Sequence, residues 1–471
     1  MKLTFWGAAQ TVTGSLHELA SNGNRYVLDC GLFQGKRKDA RDINANLPFP
    51  ATSIHAVLLS HAHVDHSGNL PTLYKNGYRG PIYTSPATLD LCTSMLPDSA
   101  HLQEKDAEFM AKRKHRRHAL GQEDTFEIIE PIYSTEDAAA TLPLFKGIPQ
   151  GSAQEVGSGV VYRSFDAGHM LGSTAMVLDV KNGSKNLRLA FSGDVGRCGL
   201  PITRDPEPLP PVDYLIMEST YGDRLHQPLD RVADKLADAV TRTIARGGKI
   251  IAPAFAVGRT QEVVMLLHQL ADQKRIPDFP IYVDSPLAVN VTEAFRKHTE
   301  LFDEETSEFL KNGEDPFGFS RLRYIRDVSE SKALNDLHVP MMVISASGMC
   351  EAGRILHHLR NNMDDPRNTI LITGFQAENT LGRKIVDKWP SVNIFGEPVA
   401  LRSEVVKLNE LSGHADQHEL IAWMKPLTPG LKKVFLVHGE LPAQTTLAKM
   451  IEQTYNVKVV IPKRGDSFLL D

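Results

Sequence analysis

A chain of 471 residues has room for two or three domains. With 42% hydrophobic and 23% charged residues it has ordinary globular composition, and no apolar run approaches the ~18 residues a membrane helix needs. The formal net charge of −5 argues against a protein that coats nucleic acid non-specifically, but leaves room for a local basic groove.

The N-terminus, Met1 to Trp6, reads as a strand rather than a signal peptide, so a cytoplasmic protein is expected. Tyr26-Val27-Leu28 ends at Asp29, and Ala56 to Leu59 runs into Ser60 and His61. Residues 97–125 are charged and helical in period, with a basic run of Lys112, Arg113, Lys114, Arg116 and Arg117. Such a run is usually a solvated helix face, and a track for RNA phosphates is the alternative. Arg188 to Phe191 leads to Gly193 and Asp194, and Tyr214 to Met217 ends at Glu218. Short apolar runs bounded by turn residues read as buried strands. Polar residues at their ends place a site along one sheet edge.

Farther along, strands alternate with helices. Lys249 to Ala252 precedes a helix over Thr260–Leu270, and Ile281 to Val283 precedes one over Pro286–Phe295. Met341 to Ile344 precedes Cys350–Arg360, and Thr369 to Ile372 precedes Gln376–Trp389. This alternation predicts a second, parallel α/β domain. Tyr221-Gly222-Asp223-Arg224 and the Gly396-Glu397-Pro398 break mark its ends. The expected division is a first domain over 1–220, an inserted domain over 221–395, and a return over 396–471. The last strand, Lys433 to Val437, ends at His438.

The strongest chemical signal is His61-Ala62-His63-Val64-Asp65-His66. In a loop past a strand, His61 and His63 can turn their imidazoles to one metal, and Asp65 and His66 to a second. Four ligands cannot close two sites, so His169, Asp194 and His438, all at strand ends, are candidates to complete them. Cys30, Cys92, Cys198 and Cys350 lie far apart without CxxC spacing, so neither a cysteine zinc site nor a disulfide framework is expected.

These residues resemble the motifs of the metallo-β-lactamase superfamily. Asp29 matches the first motif, the hexapeptide the second, His169 the third and Asp194 the fourth. Glu218 in Glu218-Ser219-Thr220-Tyr221-Gly222, His414 in Ser412-Gly413-His414-Ala415-Asp416, and His438 look like the three further motifs of its β-CASP branch. That branch includes the endonuclease subunit of the polyadenylation machinery, ribonuclease J and the DNA-repair nuclease Artemis. The resemblance implies an α/β fold: an αββα metallo-β-lactamase sandwich with an inserted parallel β-CASP domain. RNA-cutting members carry His at the position of His438 and DNA-cutting members Val, which favours RNA, expected to be single-stranded.

The resemblance further implies two zinc ions per chain. One is assigned to His61, His63, His169 and Asp194, the other to Asp65, His66, His438 and the shared Asp194. Between them a bridging hydroxide would cut a phosphodiester bond, leaving 5′-phosphate and 3′-hydroxyl ends. His414 is the candidate general acid with Glu218 holding its ring; Asp65 belongs to the catalytic set, and Asp29 would orient a ligand histidine. Ser345-Ala346-Ser347-Gly348-Met349, between a strand and a helix, could bind a substrate anion through Ser347, Gly348 and Met349. Arg383, Arg259 and Gln376 sit in similar post-strand positions. Ribonuclease J carries an extra C-terminal domain and archaeal relatives carry N-terminal KH domains. Neither is evident here, so endonuclease action is expected, and a homodimer is left open. The competing readings are a DNA nuclease or a small-molecule phosphodiesterase on the same fold, and a non-catalytic RNA-binding scaffold subunit.

Overall fold

The computed structural model describes residues 1–35, 37–119, 130–183, 185–377 and 379–471. The chain folds as two compact units. The first is built from Met1–Arg197, Pro206–Leu225 and His414–Asp471, the second from Cys198–Asp205 and His226–Gly413.

In the first unit two seven-stranded sheets pack face to face. One runs Ser467–Leu469, Lys2–Phe5, His17–Ser21, Asn24–Leu28, Ala56–Leu58, Ile82–Thr84, Phe145–Gly147. The other runs Lys458–Val460, Lys433–Leu436, Tyr214–Met217, Lys185–Phe191, Thr174–Asn182, Val160–Asp166, Gln154–Gly157. Alternate residues point inward, so Leu3, Phe5, Tyr26 and Leu28 of one sheet share a core with Tyr162, Leu178, Leu189, Phe191 and Ile216 of the other. Val160–Asp166 shows this plainly, its residues alternating between buried and half-buried along its length. The opposite face of the second sheet, carrying Val177, Ala190, Leu215 and Val434, is covered by Leu420, Met424, Leu447 and Ile451 of the helices Gln417–Met424 and Leu441–Tyr455. This is the expected αββα sandwich. Within each sheet the strands leading into the candidate residues run parallel, so their C-terminal ends share one edge.

The second unit holds a six-stranded sheet in the order Leu322–Ile325, Ile281–Asp284, Met342–Ser345, Ile250–Pro253, Thr369–Ile372, Glu404–Lys407. Every adjacent pair is parallel. Helices over Arg259–Asp272 and Pro286–Lys297 follow the strands as the sequence predicts. Two others are displaced. The helix expected over Cys350–Arg360 begins only at Ile355, because Cys350 and Gly353 take positive φ and hold the chain in turns. The one expected over Gln376–Trp389 spans Leu381–Val386, started by Thr380, whose hydroxyl caps Arg383 N.

The unit also runs past 395. The break at Gly396 is the turn of a hairpin, Ser391–Ile394 with Glu397–Ala400, in which Phe395 and Gly396 both take positive φ. Glu404–Lys407 then joins the parallel sheet beside Thr369–Ile372, and the return to the first unit comes at His414. Among the described residues no helix is long and apolar enough to cross a membrane. The basic run lies on the helix Pro86–Ala119, but the side chains of residues 113–119 fall outside the described residues.

Candidate metal centre

Each candidate ligand sits just past a strand, in backbone that needs special conformations. His63 stands at the N-cap position of the short helix Val64–Ser67, so Asp65 and His66 lie in its single turn. Gly168 and Gly193 take positive φ immediately before His169 and Asp194, and His438 itself has φ 48°. Two further glycines let these loops touch. A Cβ on Gly31 would stand 1.6 Å from the Asp65 carbonyl oxygen, and one on Gly196 1.9 Å from that of Gly168. The backbone bonds Cys30 N to His66 O and Gly196 N to Ala167 O run along the same contacts.

Donor atoms of His61, His63, His169 and Asp194 gather within 4.8 Å of one another, as do those of Asp65, His66 and His438. A third grouping joins Asp194, Glu218, His414 and His438. His63 Nδ1 lies 3.2 Å from both His61 Nε2 and His169 Nε2, and His66 Nε2 lies 3.2 Å from His438 Nε2. Two nitrogens each ~2.0–2.1 Å from one tetrahedral ion would stand ~3.3 Å apart, so these spacings fit zinc. Asp194 faces both sets. Its Oδ2 is 3.5 Å from His61 and 3.6 Å from His169, while its Oδ1 is 3.3 Å from His66 and 3.5 Å from His438. That Oδ1 is buried without a hydrogen bond among the described residues, a costly arrangement for a carboxylate unless a cation accepts it.

Burial holds His61 well below its ordinary value and His63 at about 4, which keeps both rings neutral, the ligating form. Burial opposes the ionisation of Asp194, but His438 and His66 beside it hold it well below the usual carboxylate range. Around these residues lies a ring of oriented partners. Asp29 Oδ2 is 2.6 Å from His66 Nδ1 and accepts bonds from Ser60 and Ser15. Ser60 Oγ also meets His61 Nδ1 at 3.0 Å, and Thr220 Oγ1 meets His438 Nδ1 at 3.1 Å. Such partners fix the ring orientation of a ligand.

His414 Nδ1 lies 3.2 Å from Glu218 Oε1, which also accepts Val195 N, and 3.8 Å from Asp194 Oδ2. Burial disfavours its charged form, yet Glu218 and Asp194 raise it to about 9. The pair is thus an imidazolium held at the edge of the metal set.

The structure brings all seven candidate metal ligands together, with Asp29, Glu218 and His414 beside them. Ser347, Gly348, Met349 and Arg383 belong to the second unit. There Ser347 Oγ accepts Glu351 N, Gly348 O accepts Gln376 Nε2, and Arg383 pairs with Asp387 at 3.0 Å. Sequence reasoning missed Ser15, Ser60 and Thr220 as orienting groups, and Gly31 and Gly196 as contact points. Only their adjacency to Gly14, His61 and Glu218 could have hinted at them.

Three family models match the chain: "Beta-lactamase superfamily domain" over residues 24–242, "Beta-Casp domain" over 260–385, and "Zn-dependent metallo-hydrolase RNA specificity domain" over 398–462. Ribonuclease TTHA0252 of Thermus thermophilus is 36% identical over 451 residues, 96% of this chain and 96% of that one. An RNase J-like protein of Methanocaldococcus jannaschii is 29% identical, covering 98% of each. Transcription termination factor FttA of Pyrococcus abyssi is 30% identical over 88% of this chain, which spans 62% of that protein's length. A solved structure from Enterococcus faecalis covers 100% of the chain with a TM-score of 0.53 at 14% identity, a likeness of fold alone. Together with the matched domains, the relation to the Thermus protein places this chain in the β-CASP branch of the metallo-β-lactamase superfamily, a group of metal-dependent hydrolases.

Proposed function

We propose that the protein is a cytoplasmic, zinc-dependent endoribonuclease that cuts single-stranded RNA with two metal ions, leaving 5′-phosphate and 3′-hydroxyl ends. The observation that carries this reading is Asp194, whose two oxygens face two separate donor sets. His61, His63 and His169 with Asp194 would hold one ion; Asp65, His66 and His438 with the same Asp194 would hold the other. Two zinc ions there would activate water at neutral pH and offset charge on the reacting phosphate.

The chain's own residues supply the rest. Asp29 holds His66 by its Nδ1, leaving Nε2 turned toward Asp194 and His438. Thr220 does the same for His438. His414, charged between Glu218 and Asp194, delivers a proton to the leaving oxygen. Ser347, Gly348, Met349 and Arg383 bind the substrate strand. The RNA-specific assignment draws on the matched RNA specificity domain and on the ribonuclease named among the relatives.

Cleavage of a 5′-labelled single-stranded RNA, beside a matched DNA strand and a His63→Ala variant, tests this. Internal RNA fragments from the parent alone, with about two zinc ions per chain by elemental analysis, are expected. Loss of label one nucleotide at a time would point to exonuclease action. Cleavage of neither polymer by the metal-loaded protein would move the assignment to a small phosphodiester.

A further inference from the structure

The strands that lead to Asp194 and Glu218 are joined just beyond their ends by one side chain. Lys185–Phe191 and Tyr214–Met217 run parallel, and Ser192 N still donates to Ile216 O at 2.9 Å after the first strand has ended. The chain then turns out of the sheet. Gly193 takes φ 54°, and a Cβ there would stand 2.8 Å from that of Ser60. Ser192 is fully buried at this turn.

Its hydroxyl has one hydrogen to give and lone pairs to accept with, and its neighbours fix both roles. A carbonyl can only accept, so Ser192 Oγ donates to Gly193 O at 2.6 Å. A backbone N–H can only donate, so Ser192 Oγ accepts Glu218 N at 3.0 Å. The far end of Glu218 returns to the same stretch of chain. Its Oε1 accepts Val195 N at 2.7 Å, and its Oε2 accepts Thr220 N at 3.3 Å. Glu218 is thereby tied by its backbone to Ser192 and by its carboxylate to Val195, the residues on either side of Gly193-Asp194. His414 is set against this segment as well: Gly196 and His414 form an antiparallel bridge, and Ala415 N donates to Val195 O at 2.8 Å.

Residues 192–196 therefore fix the spacing of Asp194, Glu218 and His414, which is 3.2 Å from His414 Nδ1 to Glu218 Oε1 and 3.8 Å to Asp194 Oδ2. The ties from Val195, Thr220 and Ala415 are backbone N–H groups that any residue but proline supplies. The tie from Ser192 is made by a side chain. Without it Glu218 N is a buried donor that has lost its acceptor, and the backbone there must move to find another.

We propose that Ser192 is a positioning residue for proton delivery, its hydroxyl setting the backbone of Glu218 and through it the place of the His414 ring. This rests on the ribonuclease reading given above and deepens it. Products with 5′-phosphate and 3′-hydroxyl ends require that a water oxygen bond to phosphorus and the P–O3′ bond break. The departing 3′ oxygen takes the proton that His414 carries. A reacting group displaced by about 1 Å loses on the order of 10²-fold in rate.

The test uses two RNA strands of one sequence, one natural and one with sulfur in place of the 3′ bridging oxygen at the linkage the parent cuts. A thiolate leaves without a proton, so cleavage of the sulfur strand does not draw on the acid. Zinc-loaded Ser192→Ala is expected to cut the natural strand about 10–100-fold more slowly than the parent, in kcat with KM little changed. It should cut the sulfur strand at the parent's rate. In a His414→Ala background Ser192→Ala should have no further effect, because two residues that act through one step are not additive. Thermal melting matched to the parent controls for folding. Equal slowing of both strands, or loss of zinc by elemental analysis, would assign Ser192 to the metal set and overturn the proposal. So would a natural strand cut at the parent's rate, or full additivity in the double variant. Each of these leaves the ribonuclease reading standing, whereas a parent that cuts no RNA would remove both.

Discussion

His414 is held between the carboxylates of Glu218 and Asp194 against the pull of burial, and its value near 9 keeps it charged at neutral pH. A proton donor in this state works up to the alkaline side and fails as pH rises through its own titration. Removing a neighbouring negative charge lowers that titration. Glu218→Gln is therefore expected to move the alkaline limb of kcat/KM to lower pH, whereas His414→Ala should lose about 10²–10⁴-fold in rate and abolish that limb. A limb that stays in place in Glu218→Gln would show that this carboxylate does not govern the acid. Asp29 lies one step further out, touching His66 Nδ1 at 2.6 Å. Asp29→Asn should weaken metal retention about 10–100-fold, measured as zinc left after graded chelation. Four of the candidate ligands were legible in sequence because imidazoles and a carboxylate crowd one hexapeptide, and His169, Asp194 and His438 because each follows an apolar strand-like run. Ser15, Ser60 and Thr220 were not, since a hydroxyl becomes an orienting group only when the fold brings a ring nitrogen or carboxylate to it.

Loops, at the next scale, are held where glycine permits backbone to meet backbone. Gly31→Ala would drive a Cβ into the Asp65 carbonyl, so the hexapeptide must shift. The expected outcome is loss of metal and of cleavage with the sandwich still folded, read by elemental analysis beside circular dichroism. A fully metal-loaded Gly31→Ala protein would show the contact to be tolerant. In the second unit the strand end at Asp284 carries a buried network, with His358 Nε2 and Ser331 Oγ at 2.6 Å and Arg354 Nη1 at 2.7 Å. Burial opposes the Asp284 charge, but these three hydrogen bonds hold its titration below the ordinary carboxylate range. Such a group contributes its stability above the unfolded-state value of ~3.9 and loses it as pH falls through the lower, folded value. Asp284→Asn should cost about 3–5 kcal/mol at neutral pH by urea unfolding, with the deficit shrinking below about pH 4. A deficit that did not depend on pH would mean shape, not charge, sets the cost. The displaced helix start at Ile355 has the same kind of cause. An apolar period continued through Cys350, but positive φ at Cys350 and Gly353 is a backbone property that periodicity does not report.

For the whole molecule, the alternation of strands and helices announced the parallel insert and the family resemblance implied the sandwich, and both are present. The end of the insert was harder to place. A Gly-Glu-Pro break looks the same whether it closes a domain or turns a hairpin, and here strand pairing at Glu404–Lys407 decided for the hairpin. The metal set draws on separate loops of the first unit, so ions bound there should brace that unit against unfolding. Zinc at 100 times its Kd would add about 2.7 kcal/mol per site. Chelation should therefore lower the melting temperature by several degrees, and zinc should restore it. Melting that ignores both treatments would argue against ions spanning these loops.

The order of the ligands along the chain has a temporal meaning. His61 is made early and His438 late, and the edge strand Lys2–Phe5 finds its outer neighbour only at Ser467–Leu469. At a synthesis rate of ~5–20 residues per second, roughly 20–75 s separate the first ligand from the last. Throughout that interval the growing polypeptide carries the hexapeptide without the partner that completes its second set. A chain assembled in this order cannot complete its second donor set until His438 has been made.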